Sequence, residues 1–269
     1  MKRKKILYIF IITISITLLI LCTCNIITWV KDKNNIQKLE EELKNIQKEE
    51  IENKYDNSLI NPPKDKNDSY WDYINLDFLQ VDFSDLISKN SNTIAWIKVN
   101  GTNIDYPIVQ TDDNEYYLTH SFDKKYSKAG AIFSDYRNDL NNLNYNTIIY
   151  GHARLDDTMF GSLRFTLNED WYNDKNNHII KISTPNENMI WQIFSVYVIP
   201  TESYYIKTNF LNESSFQSFL DIIASRSIYK FRTSVNTNDK ILTLSTCKND
   251  SNKRIVVHAK LIKKETRSL

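Results

Sequence analysis

The chain has 269 residues, of which 34 are basic and 33 acidic, for a formal net charge of +1. That balance excludes reliance on a polyanionic partner such as nucleic acid, and four glycines with five prolines exclude collagen-like or low-complexity architecture. Hydrophobic residues make up 41 % of the chain, enough for a folded core once the apolar N-terminus is set aside.

Residues 1–5 (MKRKK) form a basic patch, and residues 6–30 are a run of Ile, Leu, Phe and Thr without a charge. Roughly 20 apolar residues carry a helix across a bilayer, and the positive-inside rule puts the basic tail in the cytoplasm and the rest of the chain outside. A cleaved signal peptide is the rival reading, but no small-x-small cleavage site closes the run. A lipid-bearing Cys22 or Cys24 would follow a small Ala or Gly, whereas Leu21 and Thr23 stand there. The expectation is an uncleaved single-pass anchor.

Residues 31–67 read as an extracellular stalk. Ile36, Leu39, Leu43, Ile46 and Glu50 keep helical spacing among charges of both signs, and Pro62 and Pro63 break any helix that reaches them. The compact domain is expected over 68–269. Tyr70 to Lys89 carries apolar positions suited to one or two short helices. From Thr93 the pattern turns to short β-type runs: 94–99, 106–109, 131–133, 147–150, 178–183 and 189–199, with Asn100-Gly101 as a turn. An amphipathic helix over Ser214 to Tyr229 interrupts the series, and strands at 241–246 and 254–262 end it. Many short strands with one late helix predict a closed β-barrel with helical additions.

Cys22 and Cys24 lie in the apolar run, so Cys247 is alone in the exported part and no disulfide forms within it. Such a cysteine is either an inert core residue or a working thiol. It ends the run Leu242 to Cys247 (LTLSTC), and Arg254 opens the next run (RIVVHAKL), so a strand–loop–strand unit can set the two side by side. His152 follows another strand, in TIIYGH. A free thiol is only a few per cent ionised at neutral pH. An imidazole can take its proton and return one to a leaving amine, and a guanidinium that never deprotonates can hold an oxyanion. His120, His178 and His258 read as structural, no His/Cys cluster has zinc spacing, and Asp112-Asp113 and Asp156-Asp157 read as solvated loops.

With these residues in view, the chain resembles the sortases, and within them class B. The matching features are Tyr150-Gly-His152, TLSTC ending at Cys247, the run from Arg254, WIKV from Trp96, IDYPIVQ from Ile104, DNEYYL from Asp113, and the helix before the Cys-bearing strand. The likeness spans roughly Tyr70 to Ile262, and its His, Cys, Arg order is specific. It implies a closed sortase-type β-barrel of about eight strands, with N-terminal helices and one helix before the Cys-bearing strand. It further implies a cysteine transpeptidase that cleaves a C-terminal sorting signal after Thr, of the Asn-Pro-x-Thr type, and hands the acyl group from a thioester to a peptidoglycan or pilin amine. The catalytic set would be His152, Cys247 and Arg254, and the groove would include Asn114, Leu118, Thr201, Tyr205, Ile206 and Ser245. No cofactor or metal is implied. The partners would be Gram-positive surface proteins bearing sorting signals, the acceptor amine, and the membrane through the N-terminal helix. A hydrolytic cell-wall cysteine peptidase is the runner-up, but such folds usually place Cys before His. A surface-assembly accessory without chemistry is the third reading, and it would need no thiol beside a cation.

Overall fold

The computed structural model describes residues 2–47, 57–247 and 252–267. Met1, residues 48–56 of the expected stalk and residues 248–251 between Cys247 and Arg254 lie outside the described residues. Two compact units divide the chain, Met1–Glu42 and Leu43–Leu269.

A single helix, α1 (Lys2–Gln47), runs without a break from the basic tail through the apolar run into the expected stalk. It is long and apolar enough to cross a membrane. Ile6 to Val30 present their large apolar side chains outward, and the hydroxyls of Thr13, Thr17, Thr23 and Thr28 donate back to carbonyls one turn earlier. Those internal bonds let threonine sit in an apolar helix without stranding a polar group.

In the second unit the elements after α1 are β1 (Asn57–Leu59), α2 (Ser84–Lys89), β2 (Thr93–Val99), β3 (Asp105–Val109), β4 (Phe133–Ser134), β5 (Asn146–His152), α3 (Glu169–Asn173), β6 (Ile179–Ser183), β7 (Glu187–Pro200), α4 (Glu213–Ser225), β8 (Ile241–Cys247) and β9 (Lys253–Thr266). The strands follow the order β1-β9-β7-β6-β2-β3-β4-β5-β8, and β8 pairs back onto β9. Among the described residues, eight strands thereby close into a barrel. Closure removes the open sheet edges that would otherwise invite pairing with another chain. Along one edge β9 pairs with β7, and along the other first with β8 and then with β1. The sheet therefore takes in Asn57–Leu59, from a stretch expected to be linker.

The strand-forming runs share one physical cause, β-branched and aromatic residues that fill a surface buried on both faces. Trp96, Ile97, Ile108, Ile149, Ile180, Trp191, Leu244 and Val257 are all fully buried. Between β2 and β3 the chain turns at Gly101, whose φ of +67° suits glycine. A Cβ there would also lie 2.4 Å from Asn177 and 2.6 Å from the Trp171 indole. The helix expected over 214–229 ends at Ser225. Its Asn212–Ser215 capping box satisfies the first turn, and Phe216, Phe219, Leu220 and Ile223 seal it against Tyr197, Ile241 and Val256 of the barrel. Ile228, expected on the helical face, lies beyond the helix and is exposed.

Phe216→Ala should remove about 3–5 kcal/mol of unfolding free energy, because a fully buried ring leaves a cavity the barrel wall cannot close. Urea denaturation followed by tryptophan fluorescence measures it.

Candidate active site

Three strand ends converge on one rim of the barrel. β5 and β8 run parallel and pair from Asn146↔Ile241 to His152↔Cys247, so backbone pairing alone brings the last residue of each strand together. β8 and β9 are antiparallel, pairing through Ser245↔Val256. The Ile255 amide donates to Thr246 Oγ1 at 3.0 Å, so the start of β9 stays beside the end of β8 past the last paired residues. The other edge of β9 pairs Arg254 with Ile199 of β7.

His152 is half-buried. Its Nε2 lies 2.7 Å from the Leu118 carbonyl. A carbonyl can only accept, so Nε2 carries the proton and the neutral ring presents Nδ1 as a bare acceptor. Nδ1 is buried and has no partner among the described residues. Burial, aided by the charges of Arg154 and Arg254, holds the imidazole below its ordinary pKa, against the opposing pull of the Leu118 bond. The ring is therefore neutral at physiological pH. Arg254 is the complementary case, with a buried guanidinium nitrogen, Nη1, that meets no acceptor among the described residues. A bare acceptor and an unspent cationic donor on one rim are costly for stability and useful for chemistry.

Leu118 closes a short 3₁₀ turn, Tyr116–Leu118. Asp113 fixes that turn by accepting the amides of Glu115 and Tyr116, both at 2.8 Å. Gly130 packs beneath it with φ of +63°. A Cβ there would lie 2.4 Å from the Tyr117 carbonyl and 3.1 Å from His152 Cδ2. Only glycine lets the carbonyl ridge approach the imidazole this closely.

The other expected site residues divide into three kinds. Thr201 is exposed, and Leu118 and Ile206 are half-buried at the surface. Tyr205 and Ser245 lie beneath that surface, 2 % and 1 % exposed, and their hydroxyls bond at 3.0 Å. Asn114 has both ends of its amide engaged, Nδ2 donating to Asp135 at 3.1 Å and Oδ1 accepting the Tyr136 amide at 3.0 Å. It acts by holding a loop.

Sequence reasoning missed Asp135. Its fully buried carboxylate accepts Nε and Nη2 of Arg137 at 2.8 and 2.7 Å and the Tyr150 hydroxyl at 3.0 Å. Burial would raise its pKa, but the Arg137 bonds prevail and hold it below the usual carboxylate range. Because Tyr150 is two residues before His152 on β5, this carboxylate ties the Asn114 loop to the strand that carries the imidazole. An Asp two residues before an Arg after a short strand is too common a pattern to have signalled it. Asp156, expected in solvent, is instead paired with Arg154 at 2.7 Å, both side chains nearly buried. His120 stacks on Tyr116, His178 bonds to the Tyr172 carbonyl, and His258 is wholly interior.

Comparison with known proteins agrees with this fold. The sortase domain model matches residues 97–262. Sortase B of Staphylococcus aureus is 39 % identical over 184 residues, 67 % of this chain and 75 % of that protein. Among solved structures, sortase B from Bacillus anthracis in complex with AAEK1 superposes with a TM-score of 0.72 at 34 % identity, covering 87 % of this chain and 99 % of that one. The Staphylococcus aureus sortase B–substrate complex gives 0.64 at 39 % identity, covering 67 % and 84 %. Barrel and relatives together define a cysteine transpeptidase. The chain belongs to the sortase family, class B.

The His152 ring should titrate below the ordinary imidazole value of 6.5 and, when neutral, carry its proton on Nε2. Gly130→Ala should disturb the Leu118 bond and lower the pKa further, since that bond supports the charged form. Imidazole nitrogen NMR against pH reads both the tautomer and the midpoint.

Proposed function

We propose that this protein is a membrane-anchored sortase that cleaves an Asn-Pro-x-Thr-type sorting signal after Thr and joins the freed carboxyl to a cell-wall or pilin amine. The observation that carries the reading is the pair of unspent groups, His152 Nδ1 and Arg254 Nη1, at the rim where β8 ends in Cys247. The related Staphylococcus aureus sortase B has been solved with substrate, which supports a substrate site in this chain as well.

In this reading His152 Nδ1 takes the proton of the Cys247 thiol, and the thiolate sulfur attacks the Thr carbonyl carbon. The carbonyl oxygen becomes an oxyanion held by Arg254, whose charge is strongest where water is excluded. The C–N bond breaks as His152 gives its proton to the departing amine, which leaves a thioester. An incoming amine then attacks the thioester, His152 takes its proton, and the Cys247 sulfur recovers that proton as it departs. One group serves both proton transfers because a neutral imidazole is a base and its conjugate is an acid. The groove runs over Leu118, Thr201 and Ile206, with Asn114, Tyr205 and Ser245 shaping it from behind.

The proposed topology follows from α1. Residues 6–30 span the membrane, residues 1–5 stay in the cytoplasm as positive-inside flanks, and residues 31–67 serve as stalk and linker, Asn57–Leu59 of them joining the sheet. The catalytic unit is extracellular.

Incubating the protein with Asn-Pro-x-Thr and Leu-Pro-x-Thr-Gly peptides, followed by intact mass spectrometry, tests the reading. A hydroxylamine-labile acyl adduct from the first peptide, absent in Cys247→Ala, is expected. An adduct from the second alone overturns the signal assignment, and none from either overturns the thioester mechanism.

Arg254→Ala should lower kcat about 10²–10³-fold, the usual cost of losing an oxyanion donor. Steady-state cleavage kinetics measure it.

A further inference from the structure

The single turn Tyr204–Ile206 leaves successive carbonyls that so short a helix cannot satisfy itself. Side chains from elsewhere take those of Tyr205, Ile206 and the following Lys207. Asn146 Nδ2 donates to the carbonyls of Tyr205 at 3.1 Å and Lys207 at 2.9 Å, and Arg137 Nη2 donates to that of Ile206 at 3.0 Å.

Neither donor is free to turn away. Arg137 is forked onto the buried Asp135 carboxylate. Asn146 is fully buried, and the carbonyls it meets fix which end is the NH₂ group. Its Oδ1 must therefore accept, and Thr243 Oγ1 donates to it at 2.6 Å. The Thr243 oxygen then accepts from His258 Nδ1 at 2.9 Å. His258 is completely buried, and burial pushes its pKa down to about 3, so it is neutral. Its Nε2 is accordingly bare and accepts the Tyr197 hydroxyl at 2.8 Å. Tyr197 in turn accepts the hydroxyl of Tyr204, a residue of the clamped turn, at 3.0 Å. Every proton in this chain across β5, β8, β9 and β7 has one place to go, so the Asn146 amide is locked by the barrel interior.

We propose that Arg137 and Asn146 are specificity-determining positioning residues, which hold the Tyr204–Lys207 turn as a preset wall of the peptide groove. They act on sorting-signal binding and not on acyl transfer. The proposal rests on the reading above that Tyr205 and Ile206 border that groove. It extends to Thr243, which orients Asn146, and to Asp135, which orients Arg137. A preset wall makes binding cheaper because no loop is ordered as the peptide arrives.

The test uses full-length protein in detergent and the variants Arg137→Lys, Thr243→Val and Thr243→Ser. Lysine keeps the charge but cannot hold the Asp135 fork and reach the Ile206 carbonyl together. Valine keeps the shape of Thr243 but cannot donate, whereas serine can. For whichever of the Asn-Pro-x-Thr and Leu-Pro-x-Thr-Gly peptides the wild type cleaves, Arg137→Lys and Thr243→Val should raise KM about tenfold with kcat within about twofold. Thr243→Ser should stay near wild type. By hydrogen-exchange mass spectrometry, amides 203–208 should exchange about tenfold faster in the first two variants, while β8 stays protected.

Unchanged KM despite faster exchange overturns the proposal, as does a fall in kcat at constant KM, which would place these residues on the proton-transfer machinery. Unchanged exchange sinks the clamp itself. If the wild type cleaves neither peptide, the sorting-signal reading fails, and the exchange arm still decides the clamp: faster exchange upholds it and unchanged exchange sinks it.

Discussion

The rim of this barrel depends on the parallel register of β5 and β8. Parallel strands cannot be joined by a tight turn, so the chain travels through β6, β7 and α4 before β8 comes to lie beside β5. The ladder from Asn146↔Ile241 to His152↔Cys247 is therefore built from distant segments. A slip of one residue would turn every side chain of one strand to the opposite face, breaking the core contacts of Ile148, Ile149, Leu242 and Leu244 as well as the rim. The same burial that stabilises the barrel thus fixes where His152 and Cys247 lie.

The site is then tuned by what is withheld from it. His152 has one firm partner, the Leu118 carbonyl, and a second nitrogen left bare. Arg254 carries a buried nitrogen that meets no acceptor among the described residues. Other buried atoms, among them Trp191 Nε1, Asn138 Oδ1 and Thr147 Oγ1, also lack a partner among the described residues, so the rim is distinguished by the kinds of group it brings together. Asp135 gathers Arg137, Tyr150 and Asn114, and the chain from Tyr204 to Asn146 leaves no proton position open. A bare base and a cationic donor on one rim, beside these paired networks, are the kind of local departure that functional sites impose on otherwise consistent folds.

Much of the barrel was legible along the chain. Runs such as Ile241 to Thr246 and Met189 to Ile199 announce strands because β-branched and aromatic residues fit a pleated surface buried on both sides. The turn at Asn100-Gly101 is similarly local. Errors arose where tertiary contacts overrode local pattern. The strand expected at 131–133 is the two-residue β4 at Phe133–Ser134, short because it only bridges β3 and β5. Helix α4 stops at Ser225 although apolar spacing continues to Ile228. Asp156 looked like loop surface and is a buried partner of Arg154.

By itself the sequence determined the apolar helix and the barrel class, and its likeness to sortases singled out His152, Cys247 and Arg254 as the expected set, because hydropathy period and a short ordered motif are legible without knowledge of contacts. Only the tertiary structure decided which imidazole nitrogen is bare, that Asn114 and Asp135 are bonded together, that Gly130 lies against His152, and that Arg137 and Asn146 hold the carbonyls of residues 205–207. Those properties belong to pairs of residues far apart in the chain. Whether a polar group is free or engaged depends on what folding places within about 3 Å of it, and no local pattern encodes that distance.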